Sequence, residues 1–293
     1  MISATSTRQL AVLALVFNAF TWGLSWWPFR RLGQLGLHPL WLTTLTFSVA
    51  VIAVLVVRPG ALRELLRTPS LWVLVAAAGT TNACFNWSVT IGDVVRVVLL
   101  FYMMPLWTVL LARALLGERI GRRAGFRLTL ALAGAMAVLW PAEGRLGAPP
   151  GLPDLLALLG GFSFALNNVM LRREAHRSGA SRALAMFGGG VLVSLALALG
   201  LPPAFGVFEL PAPAVGWMAG VAALACWFLA SNLALQYGAA RLAAHTTAVV
   251  MITEVFFASA SALALGAAEL GLRTTFGGAL IVAAALLAAW QRD

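Results

Sequence analysis

Glu254 stands near the middle of the apolar stretch HTTAVVMITEVFFASASALAL. An ionised acid at the centre of a bilayer costs roughly 2.5 to 3.5 kcal/mol on insertion scales, so a Glu in such a setting must turn away from lipid. Two uses fit it. One is a carboxylate lining a water-filled space, holding a cationic group or a coupling proton; the other is a neutral or paired acid that ties helices together. Amides recur in pairs elsewhere. Asn82 and Asn86 are four residues apart, and so are Asn232 and Gln236, which puts each pair on one face of a helix. An amide both donates and accepts hydrogen bonds, so two such pairs suit an amino acid or another zwitterion. The bland alternative is hydrogen bonding between helices, worth about 0.6 kcal/mol on average.

Asn18, Trp22, Ser25 and Trp26 follow helical spacing and share one polar and aromatic face. Asn167 and Asn168 occupy the positions that match Ser25 and Trp26 later in the chain. Trp26 and Trp27 lie beside Arg30, where aromatic rings also serve as interface anchors. Tyr102 and Trp107 flank Pro105, whose missing N–H and ring clash predict a kink. Asp93 and Arg96 read as loop charges, since exposed pairs contribute little. The sequence offers no Ser/His/Asp or paired-carboxylate arrangement for catalysis. His38, His176 and His245 lack metal-ligand spacing, and the run Gly188, Gly189, Gly190 reads as close helix packing rather than a phosphate loop. No cofactor is called for.

These side chains need helices inside a membrane. Hydrophobic residues make up 61% of the 293 positions and charged residues only 10%, against roughly 25% charged in a soluble domain. A crossing takes about 20 residues, and apolar runs fall at 9 to 29, 38 to 57, 71 to 91, 94 to 116, 124 to 140, 152 to 171, 183 to 201, 214 to 237, 242 to 266 and 272 to 290. The fold class expected is therefore an all-α integral membrane protein of ten spans. The net charge of +10 is spread between these runs rather than gathered on one face, which argues against a nucleic-acid partner.

The stretch PAEGRLGAPPGLP, residues 141 to 153, marks a linker near the midpoint and divides the chain into units 1–145 and 146–293. A shift of 150 residues lays Gly121, Arg123, Phe126, Leu130 and Trp140 over Gly271, Arg273, Phe276, Leu280 and Trp290, and carries Thr81, Asn82, Asn86 and Trp87 onto Ser231, Asn232, Gln236 and Tyr237. A shift of 142 matches Phe20, Leu24, Arg30 and Arg31 with Phe162, Leu166, Arg172 and Arg173. Two copies of a five-span unit must enter the membrane in opposite orientations, an inverted repeat around a central cavity of the kind that supports alternating access. All basic residues are Arg, and they divide 15 to 5 between the two sides. The positive-inside rule then puts both termini in the cytoplasm.

The segment MMPLWTVLLARALLGERI and the duplicated five-span plan resemble the EamA-type branch of the drug/metabolite transporter superfamily. Tryptophan-rich span 1 is similar to that of bacterial inner-membrane exporters of aromatic and other amino acids. The second copy departs from the family pattern: its TEVFFASASALALGAAEL has Val255 after Glu254, and Ala267 and Ala268 between Gly266 and Glu269. The resemblance implies a ten-helix basket whose cavity is lined by spans 1, 3, 4, 6, 8 and 9. The expected activity is non-enzymatic secondary transport of amino acids or similar metabolites across the inner membrane. Cationic drugs and nucleotide sugars are the alternative substrates, and the reading from another class is an intramembrane enzyme or a structural subunit without transport activity. Substrate contacts are expected from Trp22, Ser25, Asn82, Asn86, Tyr102, Asn167, Asn168, Asn232, Gln236 and Glu254. Proton coupling and oligomeric state stay open; membrane lipids are the other expected partner.

Overall fold

Our computed structural model describes residues 4–116, 122–139, 150–207, 210–239, 241, 250–251, 253–268 and 271–290. The central linker over 141–149, the opening of the ninth apolar run over 242–249 with His245, Glu269 and the Gln236 side chain lie outside the described residues. Helices α1 (Ala4–Leu24) and α2 (Trp26–Gly33) are separated at Ser25 and together form one apolar stretch, Gln9–Gly33. They are followed by α3 (Pro39–Val57), α4 (Gly60–Arg67), α5 (Pro69–Ile91), α6 (Val94–Phe101), α7 (Met104–Leu116) and α8 (Arg122–Leu139). After the linker come α9 (Leu152–Arg173), α10 (Gly179–Gly200), α11 (Val215–Ala239), α12 (Thr253–Ala264) and α13 (Leu272–Trp290). The described residues are helical apart from their connections. Among the described residues, five stretches are long and apolar enough to cross a membrane: Gln9–Gly33, α3, most of α9, α10 and most of α11. This is a multi-pass helical membrane protein.

Local chemistry sets the helix starts. His38 caps α3, its Nδ1 accepting from Leu40 N at 3.2 Å, and Pro39 follows at the first turn, where a missing N–H costs nothing. Asp93 caps α6 by accepting from Arg96 N at 2.8 Å, and Ser178 caps α10 by accepting from Ser181 N at 3.1 Å. The kink expected at Pro105 is a break. The helix ends at Phe101, turns through Tyr102 and Met103, and resumes as α7. Helix α4 was not anticipated. It is a short amphipathic helix that buries Ala61 and Leu65 against Leu71 and Leu184 and keeps Arg63 and Arg67 outward.

The core lacks space for side chains where α5 meets α10. A Cβ on Gly79 would run into the Gly189 carbonyl, and one on Gly189 into the Val75 carbonyl. Backbone contact of this kind requires small residues. Gly23 does the same service for α1, since a Cβ there would lie 2.9 Å from the Glu254 carbonyl oxygen. On the outside, Val56, Val215 and Leu272 are largely exposed, as suits an apolar surface facing lipid tails.

Candidate functional site

Span 1 delivers its polar face inward. Asn18, 1% exposed, donates from Nδ2 to Ser231 Oγ at 2.7 Å and to the Ser231 carbonyl at 3.0 Å, joining α1 to α11. One turn on, Trp22 packs between two rings, with centroids 4.7 Å from Phe228 and 6.2 Å from Phe85. Phe85 continues to Phe101 at 4.8 Å, and Phe101 to Phe164 at 5.4 Å. A chain of aromatic rings thus runs from α11 through α1, α5 and α6 to α9. Ser25 Oγ donates to the Trp22 carbonyl at 2.7 Å, satisfying an acceptor exposed by the interruption between α1 and α2. Trp26 and Trp27 separate: Trp26 is buried and donates to Ser261 Oγ of α12 at 3.0 Å, whereas Trp27 is 45% exposed beneath the Arg31 guanidinium.

The amides meet different fates. Asn86 is fully buried and donates to Thr43 Oγ1 at 3.0 Å, a link between α5 and α3, while its Oδ1 has no partner among the described residues. Asn82 turns its Nδ2 back to the Ala78 carbonyl at 2.8 Å. On α9, Asn167 Nδ2 reaches Asn168 Oδ1 at 3.4 Å, and Asn167 Oδ1 is likewise buried without a described partner. Asn232 is half-buried on α11 beside Ser231. Among the described side chains, then, the structure spends one donor of Asn86 on helix packing and leaves the amide oxygens of Asn86 and Asn167 unspent.

Tyr102 and Glu254 come together. Tyr102, in the turn between α6 and α7, places Oη 2.9 Å from Glu254 Oε2 in the first turn of α12 and 2.9 Å from the Met251 carbonyl oxygen. Both side chains are buried, at 2% and 6% exposure. The acid does not face lipid, and its partner is a neutral phenol from the first half of the chain. Sequence spacing alone gave no sign of this pairing, because the two residues lie 152 positions apart.

Arg96 corrects the loop-charge expectation. Asp93 is occupied as a helix cap, and Arg96 instead forms a forked pair with Asp154 of α9, Nε to Oδ1 at 2.7 Å and Nη2 to Oδ2 at 3.1 Å. Asp154 Oδ2 also accepts from Gly151 N at 3.0 Å. At the same end of the bundle, Arg30 donates to the Val89 and Gly92 carbonyls, and a cavity of about 650 Å³ is lined by Arg30, Gln34, His38, Thr90 and the neighbouring backbone. None of the ten expected substrate-contact residues lines it. Burial pushes the His38 imidazole down from 6.5 to about 4, against the opposing hydrogen bond with the Phe205 backbone, and its ring lies 5.1 Å from Trp87. At another connection, Ser178 donates to Glu64 Oε2 at 2.7 Å; this bond, helped by Ser181 and Arg177, holds the Glu64 carboxyl below the ordinary carboxylate range.

With this geometry in view, comparison with known proteins places the first half. Residues 9–140 match the model of the EamA-like transporter family. Those residues are EamA-like. The EamA-like segment holds most of α1 and all of α2 through α8, and with them Trp22, Asn82, Asn86 and Tyr102. A curated relative, uncharacterized transporter PA0485 of Pseudomonas aeruginosa, is 30% identical over 148 residues, 48% of this chain and 48% of the relative. The chain thus spans about half the length of the curated relative it matches. A protein of known crystal structure, 21% identical, covers 96% of both chains with a TM-score of 0.59. At that identity the likeness speaks for the fold alone, but for the fold of the whole chain, beyond the EamA-like segment.

Proposed function

We propose that this protein is a secondary transporter that exports amino acids, aromatic ones included, or related small metabolites across the bacterial inner membrane by alternating access. The match of residues 9–140 to a transporter family carries the reading. In this proposal the chain makes ten crossings as two inverted five-helix units, 1–145 and 146–293, with both termini cytoplasmic. Reciprocal packing supports the duplication. Under the sequence shifts, α1 corresponds to α9 and α5 to α11; α1 rests on α11, and α9 rests on α5. The same exchange relates the contact of α3 with α11 to that of α10 with α5, and the contact of α1 with α12 to that of α9 with α6 and α7. Exchanged partners of this kind are what a pseudo-two-fold axis between inverted units produces.

The substrate would bind where the units meet. Trp22 and Tyr102 offer ring faces, Asn82, Asn86, Asn167, Asn168, Asn232 and Gln236 offer amide groups, Ser25 a hydroxyl and Glu254 an acid. Amide oxygens of Asn86 and Asn167 that are buried without described partners are a reason to expect a donor such as an ammonium group. The buried acid favours a second reading in which the cargo is a cationic compound. A ligand that binds the folded state raises its melting temperature, so the purified protein in detergent can be heated with a panel of amino acids and of organic cations. Stabilisation by amino acids that grows with concentration is the expected result. Stabilisation by the cations alone would transfer the assignment to the second reading.

A further inference from the structure

Tyr102 Oη has two oxygen neighbours at 2.9 Å and one hydrogen. A hydroxyl donates one bond and accepts others. The Met251 carbonyl can only accept. If Tyr102 donates to that carbonyl, the contact with Glu254 Oε2 needs a hydrogen from the acid. If Tyr102 donates to the acid, two acceptor oxygens are left facing each other across the remaining contact. Buried polar atoms are overwhelmingly paired, and an ionised carboxylate with so little exposure and no cation beside it among the described residues is costly.

Among the described residues, the surroundings contain no charge to offset that cost. Among the described helices, α1 and α6 pack most closely against α12. Between Arg8 and Arg30 the first span has no ionisable side chain, and none but Glu254 occurs on α12 itself. On α6, Arg96 is engaged by Asp154 at the far end, six residues before Tyr102. We infer that Glu254 is a proton-binding site, holding a proton that it donates to Tyr102 Oη while Tyr102 donates to the Met251 carbonyl, so that protonation latches the second half of the chain onto the α6–α7 break. This rests on the transport reading for its purpose, though not for its chemistry. Loss of the proton replaces a donor with a charge, and the single Tyr102 hydrogen can then serve only one of its two oxygen neighbours, so one of the two contacts of the latch is lost. The acid must then find water or a cation. The break in α6–α7 is where the backbone can give, because Tyr102 and Met103 form a turn rather than continuous helix.

Infrared difference spectroscopy of the intact protein in lipid or detergent tests this without any substrate. A protonated-carboxyl carbonyl stretch is expected at neutral pH, absent from Glu254→Gln and displaced in frequency in Tyr102→Phe, where the acid loses its acceptor. Glu254→Gln is isosteric and can donate to Tyr102 through its amide, so a folded variant is expected; Tyr102→Phe gives a second, independent readout. A wild-type spectrum identical to that of Glu254→Gln in this region would overturn the proposal, since the acid would then be ionised. So would a band that is unmoved in Tyr102→Phe. Either result is independent of the ligand panel, so failure of the proton site and failure of the transport reading can be told apart.

Discussion

Asn18 and Ser231 lie 213 positions apart and are joined by two hydrogen bonds from a single amide nitrogen, one to the Ser231 hydroxyl and one to its carbonyl. The pair pins α1 to α11, and in a bilayer interior no water stands ready to replace it. Bonds of this type between membrane helices contribute about 0.6 kcal/mol on average and up to about 1.7. Asn18→Ala is therefore expected to lower stability by about 1 kcal/mol, and Ser231→Ala by less, because the carbonyl acceptor survives. Melting temperatures of the two variants and their double mutant check this. Equal and additive losses would mean that the residues act separately.

The forked pair between Arg96 and Asp154 makes a stronger demand. Asp154 is mostly buried and serves the Gly151 N–H as well as the guanidinium, and hydrogen bonds to charged groups contribute about 1.5 to 3 kcal/mol. Asp154→Asn should cost about 2 kcal/mol, and Arg96→Ala with Asp154→Ala together should cost less than the sum of the single changes. A double-mutant cycle with no coupling would contradict the pairing.

Helix α5 has no room at its contact with α10. Gly79→Ala and Gly189→Ala each push a methyl into the opposing backbone, and overpacking of a tight interface costs about 1 to 3 kcal/mol. Gly188, where a Cβ would meet nothing within 4 Å, is the internal control: Gly188→Ala should leave stability unchanged or raise it slightly. Thermal unfolding of the three variants in one detergent separates them.

Acidification should weaken the end of the molecule around His38. The folded state holds the imidazole at about 4, below its ordinary 6.5. Between these values the unfolded chain binds more protons, so stability falls as pH drops from 6.5 towards 4 and levels off below. His38→Asn retains an N-cap acceptor and should flatten that part of the melting-temperature profile. An unchanged slope in the variant would assign the acid sensitivity to another group.

The class of the protein was legible because apolar spans are long and few charges interrupt them, and α3, α9 and α10 begin and end close to the expected runs. What periodicity could not show is which polar residues meet. Asn86 finds Thr43 and Tyr102 finds Glu254 through contacts 43 and 152 residues distant, and no local pattern encodes such distances. Helix α4 escaped notice for a different reason: its eight residues, with three charges among them, are too short and too polar to register as an apolar run. The loop-charge reading of Asp93 and Arg96 failed because each side chain has a partner that local spacing does not show. Asp93 had a backbone N–H to cap, which freed Arg96 to reach across to Asp154.

Counterflow in proteoliposomes tests the central claim most directly: vesicles loaded with an unlabelled amino acid should take up the labelled one from outside, faster with wild-type protein than with Trp22→Ala or Tyr102→Phe, and not at all in empty vesicles. Folded, inserted protein that exchanges no member of a full amino-acid panel would contradict the account.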